Sequence, residues 1–465
     1  MSETVVVQET VTVNPATGEE LARYPQLDAA GRDAALDRAV AAQSAWREVP
    51  VSERVVPLRE LARLLRDEAE DHARLMSLEM GKPITEALAE VRKCALTCDY
   101  YADHAEDFLA PQPVATEAAS SFVTYEPLGV VLAVMPWNFP FWQVIRFCAP
   151  TLAAGNGGIL KHASNVTGSA LAIADLVRRA GFPEDLFQTV VVGHSAIDDM
   201  IADPRIAAVT LTGSEGAGAS VAAAAGRALK KTVLELGGSD PFVVLDDADL
   251  DTVVPLGVKA RFINTGQSCL CAKRFPVEAG VHEEFVARAG EAARALRVGD
   301  PLDPATQIGP LAKPSFVDDI DRQVRESVAM GARVVAGGHR IEGPGCYYAP
   351  TVLADVTSDM PVFREETFGP VMAIVKAADA AEAIALADDT RYGLAASVWT
   401  ADMARGLELG RGIRSGALFV NAVVASDPRL PFGGVKLSGY GRELSREGML
   451  EFTNIRAVWA MEGAS

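Results

Sequence analysis

Residues 52–109 carry apolar side chains at helical intervals. We predict a first helix that begins at Ser52, whose hydroxyl can cap the opening turn. A second apolar stripe contains Cys94 and Cys98, so we interpret these two thiols as core side chains. The other apolar positions are Leu58, Leu61, Leu64 and Leu65 in the first helix and Ile84, Leu88, Val91 and Tyr101 in the second.

From residue 128 onward, short β-branched runs alternate with segments of helical composition. Strands and helices that alternate at this interval predict a doubly wound parallel sheet. The predicted strands are residues 130–134, 158–161, 188–192, 208–212 and 232–236, and the predicted helices are residues 141–154, 167–180 and 215–229.

The same alternation begins again after Gly237 and Gly238, which we interpret as a hinge before a second α/β domain. Residues 451–460 form a last predicted strand, which is expected to leave its own domain and pair elsewhere. The second domain's predicted strands are 241–245, 371–375, 395–399 and 417–420, and its predicted helices are 249–263 and 282–296.

The composition is that of an ordinary globular protein of two or three domains, since 49% of the 465 residues are hydrophobic and 23% are charged. The formal net charge is −19, and a strongly acidic chain repels nucleic acid and anionic membranes. We therefore expect a small-molecule substrate and neither nucleic acid nor membrane binding.

Six irregularly spaced cysteines do not form a disulfide framework, and the histidines are scattered singly. We expect reduced thiols and no metal site. The N-terminal segment is acidic and has no basic residue before Arg23, which argues against a targeting peptide. These features predict a cytoplasmic protein.

Three short segments place a reactive or polar side chain in a turn with small neighbours, where a ligand can approach the backbone. They are residues 136–140 (PWNFP), 234–238 (LELGG) and 264–269 (NTGQSC). Each is also common as a purely structural element. Together they supply a thiol nucleophile in Cys269, an oxyanion donor in Asn138 and a general base in Glu235.

In this order and at these intervals, the three segments resemble the aldehyde dehydrogenase superfamily, whose members oxidise aldehydes to acids with NAD(P). The resemblance implies an α/β fold with a Rossmann-like dinucleotide-binding domain, an α/β catalytic domain and a small β oligomerisation element. Further matching segments are residues 14–18 (NPATG), 80–82 (MGK), 212–214 (TGS), 365–370 (EETFGP) and 431–439 (PFGGVKLSG).

The resemblance implies covalent catalysis. The Cys269 thiolate would attack the aldehyde carbon, and the Asn138 amide and the Cys269 backbone N–H would hold the oxyanion. After hydride transfer to the nicotinamide, Glu235 would activate the water that hydrolyses the thioester.

The resemblance also implies the domain boundaries. Residues 1–110 and 127–237 would form the dinucleotide-binding domain, residues 238–430 the catalytic domain, and residues 111–126 with 453–462 the oligomerisation element. Members of the family assemble as dimers or tetramers, so we expect a homodimer or homotetramer.

For the cofactor, the resemblance places Lys161 at a ribose and Ser214 at the pyrophosphate, close to a helix N-terminus. Many relatives that prefer NAD have Glu three residues after this lysine, whereas this chain has Ser164. A carboxylate there would repel a 2′-phosphate and a hydroxyl can donate to it, so we expect NADP to be preferred over NAD. The cofactor-binding residues implied are Trp137, Lys161, Ser164, Gly213, Ser214, Glu366 and Phe368.

Arg146 is the predicted determinant of substrate choice, because a charge is unusual among apolar neighbours, which here are Phe139, Phe141, Trp142, Phe147 and Cys148. In succinate-semialdehyde dehydrogenases the same position carries an arginine that binds the substrate carboxylate. Ser426 is expected to add a hydroxyl contact. The alternative for Arg146 is a helix arginine that is paired with an acid.

One position departs from that group. Some members have a second substrate arginine six residues before the nucleophile, where this chain has Ile263. Arg261 is near in sequence and can face elsewhere. Glutarate semialdehyde is therefore a second candidate substrate.

Cys271 lies two residues after Cys269, and similar enzymes with this spacing form a reversible inhibitory disulfide. We interpret Cys271 as a candidate redox partner of the nucleophile. The alternative is a small side chain that packs beside the pocket.

The first hypothesis for function is the NAD(P)-dependent oxidation of succinate semialdehyde to succinate. The alternative within the same class is a broader ω-carboxy or aliphatic aldehyde dehydrogenase, and acyl transfer to coenzyme A is disfavoured by the presence of Glu235. A hypothesis of another class is a catalytically silent binding protein, which the joint presence of Asn138, Glu235 and Cys269 argues against.

Overall fold

The N-terminal region is a β-hairpin followed by helices. The computed structural model describes residues 8–463, so the first seven residues of the predicted dinucleotide-binding domain lie outside the described residues. The elements are β1 (Glu9–Val13), β2 (Glu20–Pro25), α1 (Ala29–Trp46), α2 (Val51–Arg54), α3 (Val56–Asp67), α4 (Ala69–Met80) and α5 (Ile84–Leu109).

The helices predicted over residues 52–109 are present, and Cys94 and Cys98 are buried in the core as predicted. The predicted cap was wrong. Ser52 lies inside α2, and Pro50 precedes the first turn, where its fixed φ of −57° suits a helix start.

The central region alternates strands and helices, as predicted. Strand β7 is shorter than the predicted 188–192. The elements are β3 (Gln112–Pro113), β4 (Ser120–Pro127), β5 (Val130–Met135), α6 (Trp142–Ala153), β6 (Gly157–His162), α7 (Thr167–Arg179), β7 (Phe187–Thr189), α8 (Ala196–Ala202), β8 (Ile206–Thr212), α9 (Glu215–Arg227) and β9 (Lys231–Glu235).

The alternation continues after the diglycine. The elements here that the sequence did not lead us to expect are β11, α12, β12, β13, α13, α14, α15, β17 and α16. The elements are β10 (Asp240–Val244), α10 (Leu250–Phe262), β11 (Ala272–Glu278), α11 (His282–Arg294), α12 (Pro314–Ala329), β12 (Arg333–Ala336), β13 (Thr351–Ala354), α13 (Pro361–Arg364), β14 (Val371–Ala377), α14 (Ala380–Asp388), β15 (Ala395–Trp399), α15 (Met403–Gly410), β16 (Ala417–Val420), β17 (Gly439–Tyr440), α16 (Ser445–Leu450) and β18 (Thr453–Ala460).

Two large sheets organise these elements. The first has the order β17-β9-β8-β5-β6-β7, with only β17 antiparallel to its neighbour. The second has the order β12-β13-β14-β11-β10-β15-β16, with only β12 antiparallel to its neighbour. The chain passes from the first sheet to the second between Glu235 and Asp240, at the diglycine.

A third, small sheet has the order β18-β4-β3. Its strands β18 and β4 pair antiparallel from Thr453 opposite Pro127 to Ala460 opposite Ser120. The predicted C-terminal strand is therefore present and pairs with a distant segment. Ile455 and Trp459 on this strand are 62% and 56% exposed.

The parallel strands of the first sheet end at one edge, where the site lies. Thr212 at the end of β8 is in register with Glu235 at the end of β9. Helix α6 leaves β5 at the same edge, and all twelve of its side chains are buried. A charged side chain on α6 is therefore held inside the protein.

Candidate active site

A cavity of about 360 Å³ lies at this edge, between the two large sheets. Of the residues predicted for catalysis and cofactor binding, it brings together Asn138, Cys269, Trp137, Gly213, Ser214, Glu366 and Phe368. Glu235, Lys161, Ser164, Arg146 and Ser426 are not among the residues lining this cavity in the described part of the chain, and their surroundings follow below.

The loop that carries Cys269 is fixed by polar contacts. It follows a short 3₁₀ turn in which Asn264 and Thr265 adopt left-handed φ angles of 53° and 56°. Glu86 Oε2 accepts the backbone N–H of Asn264 at 2.6 Å, and Asn264 Nδ2 donates to Asn138 O at 2.8 Å. These bonds tie the nucleophile loop to α5 and to the Asn138 turn.

Asn138 is oriented from both ends of its amide. Its Nδ2 donates to Gln267 O at 3.1 Å, and its Oδ1 accepts from Gln143 Nε2 at 3.0 Å. An amide nitrogen has two N–H groups, so one remains to bind an oxyanion next to Cys269.

The start of α6 rests on a buried ion pair that the sequence analysis did not identify. Glu90 Oε1 accepts the backbone N–H groups of Phe141 and Trp142 at 2.9 and 3.0 Å. Its other oxygen bonds the buried Lys82 ammonium. This pair fixes the Asn138 turn against α5, and Lys82 belongs to a segment that carried the family resemblance.

Burial raises the pKa of the Cys269 thiol to about 12, and the charges of Lys273 and Arg146 oppose this rise. Lys273 is fully buried and was not identified from the sequence. Its Nζ donates to Ser268 O at 2.9 Å and to Cys269 O at 3.0 Å, and it pairs with Glu366 at 3.3 Å.

Glu235 ends β9 as a buried carboxyl, and in the described residues its two oxygens have no hydrogen-bond partner. Burial raises its pKa well above the usual range, and the neighbouring Glu443 raises it further. A Cβ atom on Gly433 would lie 2.8 Å from Glu235 Oε1, so glycine leaves room for the carboxylate. A raised pKa makes the ionised carboxylate a stronger base, which suits a general base.

Arg146 is 3% exposed and forms an ion pair with Glu443, with 2.5 Å between Nε and Oε2. Its Nη2 donates to Thr212 Oγ1 at 3.2 Å, and its guanidinium lies over the Phe432 ring, 4.8 Å from the centroid. The arginine thus has an acidic partner, as in the alternative interpretation, but inside the protein. Glu443 was not identified from the sequence, although it follows the glycine-rich segment 431–439 closely.

The predicted cofactor residues around Lys161 form a basic rim. Lys161 is 4% exposed at the end of β6, and Ser164 and Lys313 line a neighbouring cavity of about 680 Å³. Among the described residues neither lysine has an ion-pair partner. The charge of Lys313 lowers the pKa of Lys161, after the larger effect of burial. Lys313 was not identified from the sequence.

The other cofactor residues shape the cavity. Ser214 Oγ accepts the N–H of Ala217 at 3.3 Å and caps α9, whose N-terminus opens toward the cavity. Glu366 Oε1 accepts the N–H of Gly238 at 3.0 Å. A Cβ atom on Gly237 would collide with Glu366, so the glycine keeps this cradle open.

Aromatic rings form one wall of the cavity. Trp137 stacks on Phe316 with centroids 4.9 Å apart, and Phe368 meets Trp137 edge-on at 5.8 Å. A flat wall beside a capped helix N-terminus, basic rim and carboxylate fits a dinucleotide.

Ser426 is buried and does not line this cavity, and its Oγ accepts from Lys93 Nζ at 2.7 Å. Ile263 is 38% exposed, whereas Arg261 is fully buried. Arg261 donates to the carbonyls of Ala272 and Thr367 and faces the second sheet. It does not replace the arginine that is absent at 263.

Cys271 is fully buried, and its Sγ donates to Ile263 O at 3.5 Å. Its predicted disulfide with Cys269 stays a prediction. In the described part of the chain, no group of three or more His, Cys, Asp or Glu side chains is placed to hold a metal ion, and no helix has the length and apolarity to cross a membrane.

The chain is similar to known proteins over nearly its whole length. The profile of the Aldehyde dehydrogenase family matches residues 4–458. The chain is 52% identical over 448 residues to a probable succinate-semialdehyde dehydrogenase (NADP(+)) of Synechocystis sp., covering 96% of this chain and 99% of that protein.

A second relative and a solved structure are also similar to nearly the whole chain. A succinate semialdehyde dehydrogenase (NAD(P)+) of Escherichia coli is 47% identical over 449 residues, with 97% of each chain covered. The crystal structure of a succinic semialdehyde dehydrogenase from Streptococcus pyogenes in complex with NADP+ superposes with a TM-score of 0.95 at 38% identity, covering 97% of this chain and 100% of that one.

Proposed function

The chain belongs to the aldehyde dehydrogenase family, and we propose that within it the protein oxidises succinate semialdehyde to succinate with NADP. The observation that carries the proposed substrate is Arg146, a guanidinium 3% exposed on the helix that leaves the Asn138 turn. Its charge acts on both Cys269 and Glu235. The names of relatives at about half identity support the same substrate.

Cys269 would act as the nucleophile. Its thiolate attacks the aldehyde carbon, and the remaining Asn138 Nδ2–H and the Cys269 backbone N–H bind the resulting oxyanion. Loss of hydride leaves a thioester on Cys269. Glu235 then takes a proton from the water that attacks this thioester, and succinate leaves as the free acid.

NADP supplies the hydride acceptor when it is bound. We propose that Trp137, Glu366 and Phe368 hold its nicotinamide end, and that Gly213 and Ser214 contact the diphosphate at the start of α9. Lys161, Ser164 and Lys313 would bind the adenosine ribose and its 2′-phosphate. The two lysines without ion-pair partners make this rim suited to an additional anion, which favours NADP over NAD.

We further propose a homodimer or homotetramer assembled through β4 and β18. The exposed Ile455 and Trp459 support this proposal, because large apolar side chains on an outer strand are typical of subunit contacts.

A cytoplasmic location is supported by the six cysteines, all of which are free. We also propose that residues 1–110 and 127–237 form the dinucleotide-binding domain, residues 238–430 the catalytic domain, and residues 111–126 with 453–462 the oligomerisation element.

Glutarate semialdehyde is the second candidate substrate. The observation in its favour is Ile263, where an apolar side chain stands in place of a second arginine and leaves chain length less strictly defined.

Initial rates at 340 nm test the proposal. We expect succinate semialdehyde to be oxidised much faster than hexanal, and NADP to be used better than NAD. Faster oxidation of hexanal would overturn the proposed substrate and leave the family and the mechanism intact. Preference for NAD would overturn the proposed role of the basic rim.

A further inference from the structure

Lys93 on α5 lies beside the two residues for which substrate contacts are proposed. Its Nζ donates to Ser426 Oγ at 2.7 Å and lies 4.0 Å from the centroid of the Trp142 ring. Trp142 and Arg146 are one turn apart on α6 and share a face of that helix. Three separate parts of the chain therefore bring Lys93, Ser426 and Arg146 to one region.

The packing of α5 on α6 fixes Lys93 in this place. Glu90 precedes Lys93 by about one helical turn and accepts the backbone N–H groups of Phe141 and Trp142. The two helices cannot slide along each other without breaking these bonds. The ammonium of Lys93 is thus held over the Trp142 ring.

Lys93 has no ion-pair partner among residues 8–463, whereas Arg146 is paired with Glu443. A half-buried ammonium close to a guanidinium is unfavourable unless an anion joins them. A ligand carboxylate would supply the missing negative charge.

Other charged groups near Lys93 are already engaged. Glu90 is paired with Lys82, and Asp427 is paired with Arg429. The Cys94 thiol also faces Lys93 but is buried, and burial raises its pKa. Burial, and next the charge of Arg146, lower the pKa of Lys93 to about 8.

We propose that Lys93 is a substrate-specificity residue that binds the distal carboxylate of the semialdehyde, together with Arg146 and Ser426. This inference rests on the proposed function and deepens it. It supplies a second cation beside Arg146, whose Nε is committed to Glu443, in a chain that has Ile at position 263. The Ser426 hydroxyl accepts from Lys93 and can donate its own proton to the carboxylate.

The test compares two aldehydes of equal carbon number, succinate semialdehyde and butanal, which differ in the distal carboxylate. In Lys93→Met we expect kcat/KM for succinate semialdehyde to fall about tenfold or more, as expected for loss of a charge-assisted contact. The value for butanal should stay within about twofold. Arg92→Met is the matched control, since Arg92 is an exposed cation on the same helix, and it should change neither value.

The pH dependence gives a second measurement. The ratio of the two kcat/KM values cancels ionisations that both substrates share, such as those of Cys269 and Glu235. In the wild type this ratio should fall as the pH rises through about 8, because Lys93 loses its charge. In Lys93→Met it should be flat over this range.

The outcomes separate the two proposals. A wild type that prefers butanal would overturn the proposed substrate, and the role of Lys93 would fall with it. A wild type that prefers the semialdehyde, with Lys93→Met slowing both aldehydes equally, would keep the substrate and overturn the role of Lys93. An unchanged pH trend in Lys93→Met would overturn it as well.

Discussion

Glu443 Oε2 lies 2.5 Å from Nε of Arg146, so the guanidinium proposed to bind the substrate is already paired with a buried acid. The same acid raises the pKa of Glu235, and Arg146 lowers it. The three side chains are therefore one electrostatic unit, in which a change at any member alters the base. This coupling would link the proposed substrate contact of Arg146 to the proposed general base Glu235.

Glu443→Gln removes the negative charge that raises the pKa of Glu235. The pKa of Glu235 should fall, so the acid limb of the pH profile for the hydrolysis step should move to lower pH. Arg146→Ala should move the same limb to higher pH, since the arginine lowers that pKa. Single-turnover rates of thioester hydrolysis against pH measure both shifts.

Glu447→Gln is the control, because Glu447 lies near in sequence and bonds Ser445 rather than Arg146. It should leave the limb in place. Shifts of equal sign in Glu443→Gln and Arg146→Ala would contradict the electrostatic coupling.

Lys273 is expected to set the reactivity of Cys269, because its charge lowers the pKa of that thiol and that of Glu366 raises it. Arg146 and Asp240 act on the same thiol, with lowering and raising effects. Lys273→Met should raise the thiol pKa, and Glu366→Gln should lower it. A general loosening of the fold would not produce shifts of opposite sign.

The measurement is the rate of iodoacetamide labelling of Cys269 against pH, without substrate or cofactor. All variants would carry Cys271→Ser, so that label on this segment reports Cys269 alone. Lys376→Met, which removes an exposed lysine, is the control and should not move the curve. Lys273→Arg keeps the positive charge, so the pKa of Cys269 should be lower in this variant than in Lys273→Met.

The site residues that were predicted from the sequence belong to distinctive local segments, as do Asn138, Glu235 and Cys269. The sequence did not identify Lys93, Lys273 or Glu443. Lys93 and its partner Ser426 are 333 residues apart in the chain, and nothing local in either segment indicates the other. Long-range packing creates such contacts, so periodicity and short patterns cannot reveal them.

The boundaries of helices and strands also differ in how well the sequence predicts them. Strands β5, β8 and β9 were predicted nearly to the residue, because their buried β-branched runs are bounded by glycine or polar residues. The cap at Ser52 was wrong because Pro50, two residues earlier, fixes the start of the helix. Local propensity therefore predicts the element better than its first residue.

The basic rim should control cofactor choice. Lys313→Ala should weaken NADP binding about tenfold while NAD binding changes little, because only NADP carries the 2′-phosphate. Ser164→Glu should reverse the preference, since its carboxylate repels that phosphate and can bond a ribose hydroxyl. Isothermal titration with each cofactor, in the absence of aldehyde, measures this directly.

Lys259→Ala is the control for loss of a lysine outside the rim. Equal weakening of both cofactors in Lys313→Ala would assign Lys313 to the diphosphate or to folding, and would contradict a role at the 2′-phosphate.

Oxidation should test the remaining prediction, a disulfide between Cys269 and Cys271. Cys271 is buried and its thiol donates to Ile263 O. Formation of the disulfide therefore requires the Cys271 side chain to leave this hydrogen bond and turn toward Cys269. We expect peroxide to abolish activity and dithiothreitol to restore it in the wild type. In Cys271→Ala the loss should resist dithiothreitol, because a sulfenic acid on Cys269 without a resolving thiol proceeds to irreversible states. Cys346→Ala, which removes a distant half-buried thiol, should behave as the wild type. Full recovery in Cys271→Ala would leave Cys271 as a packing residue and refute the redox role.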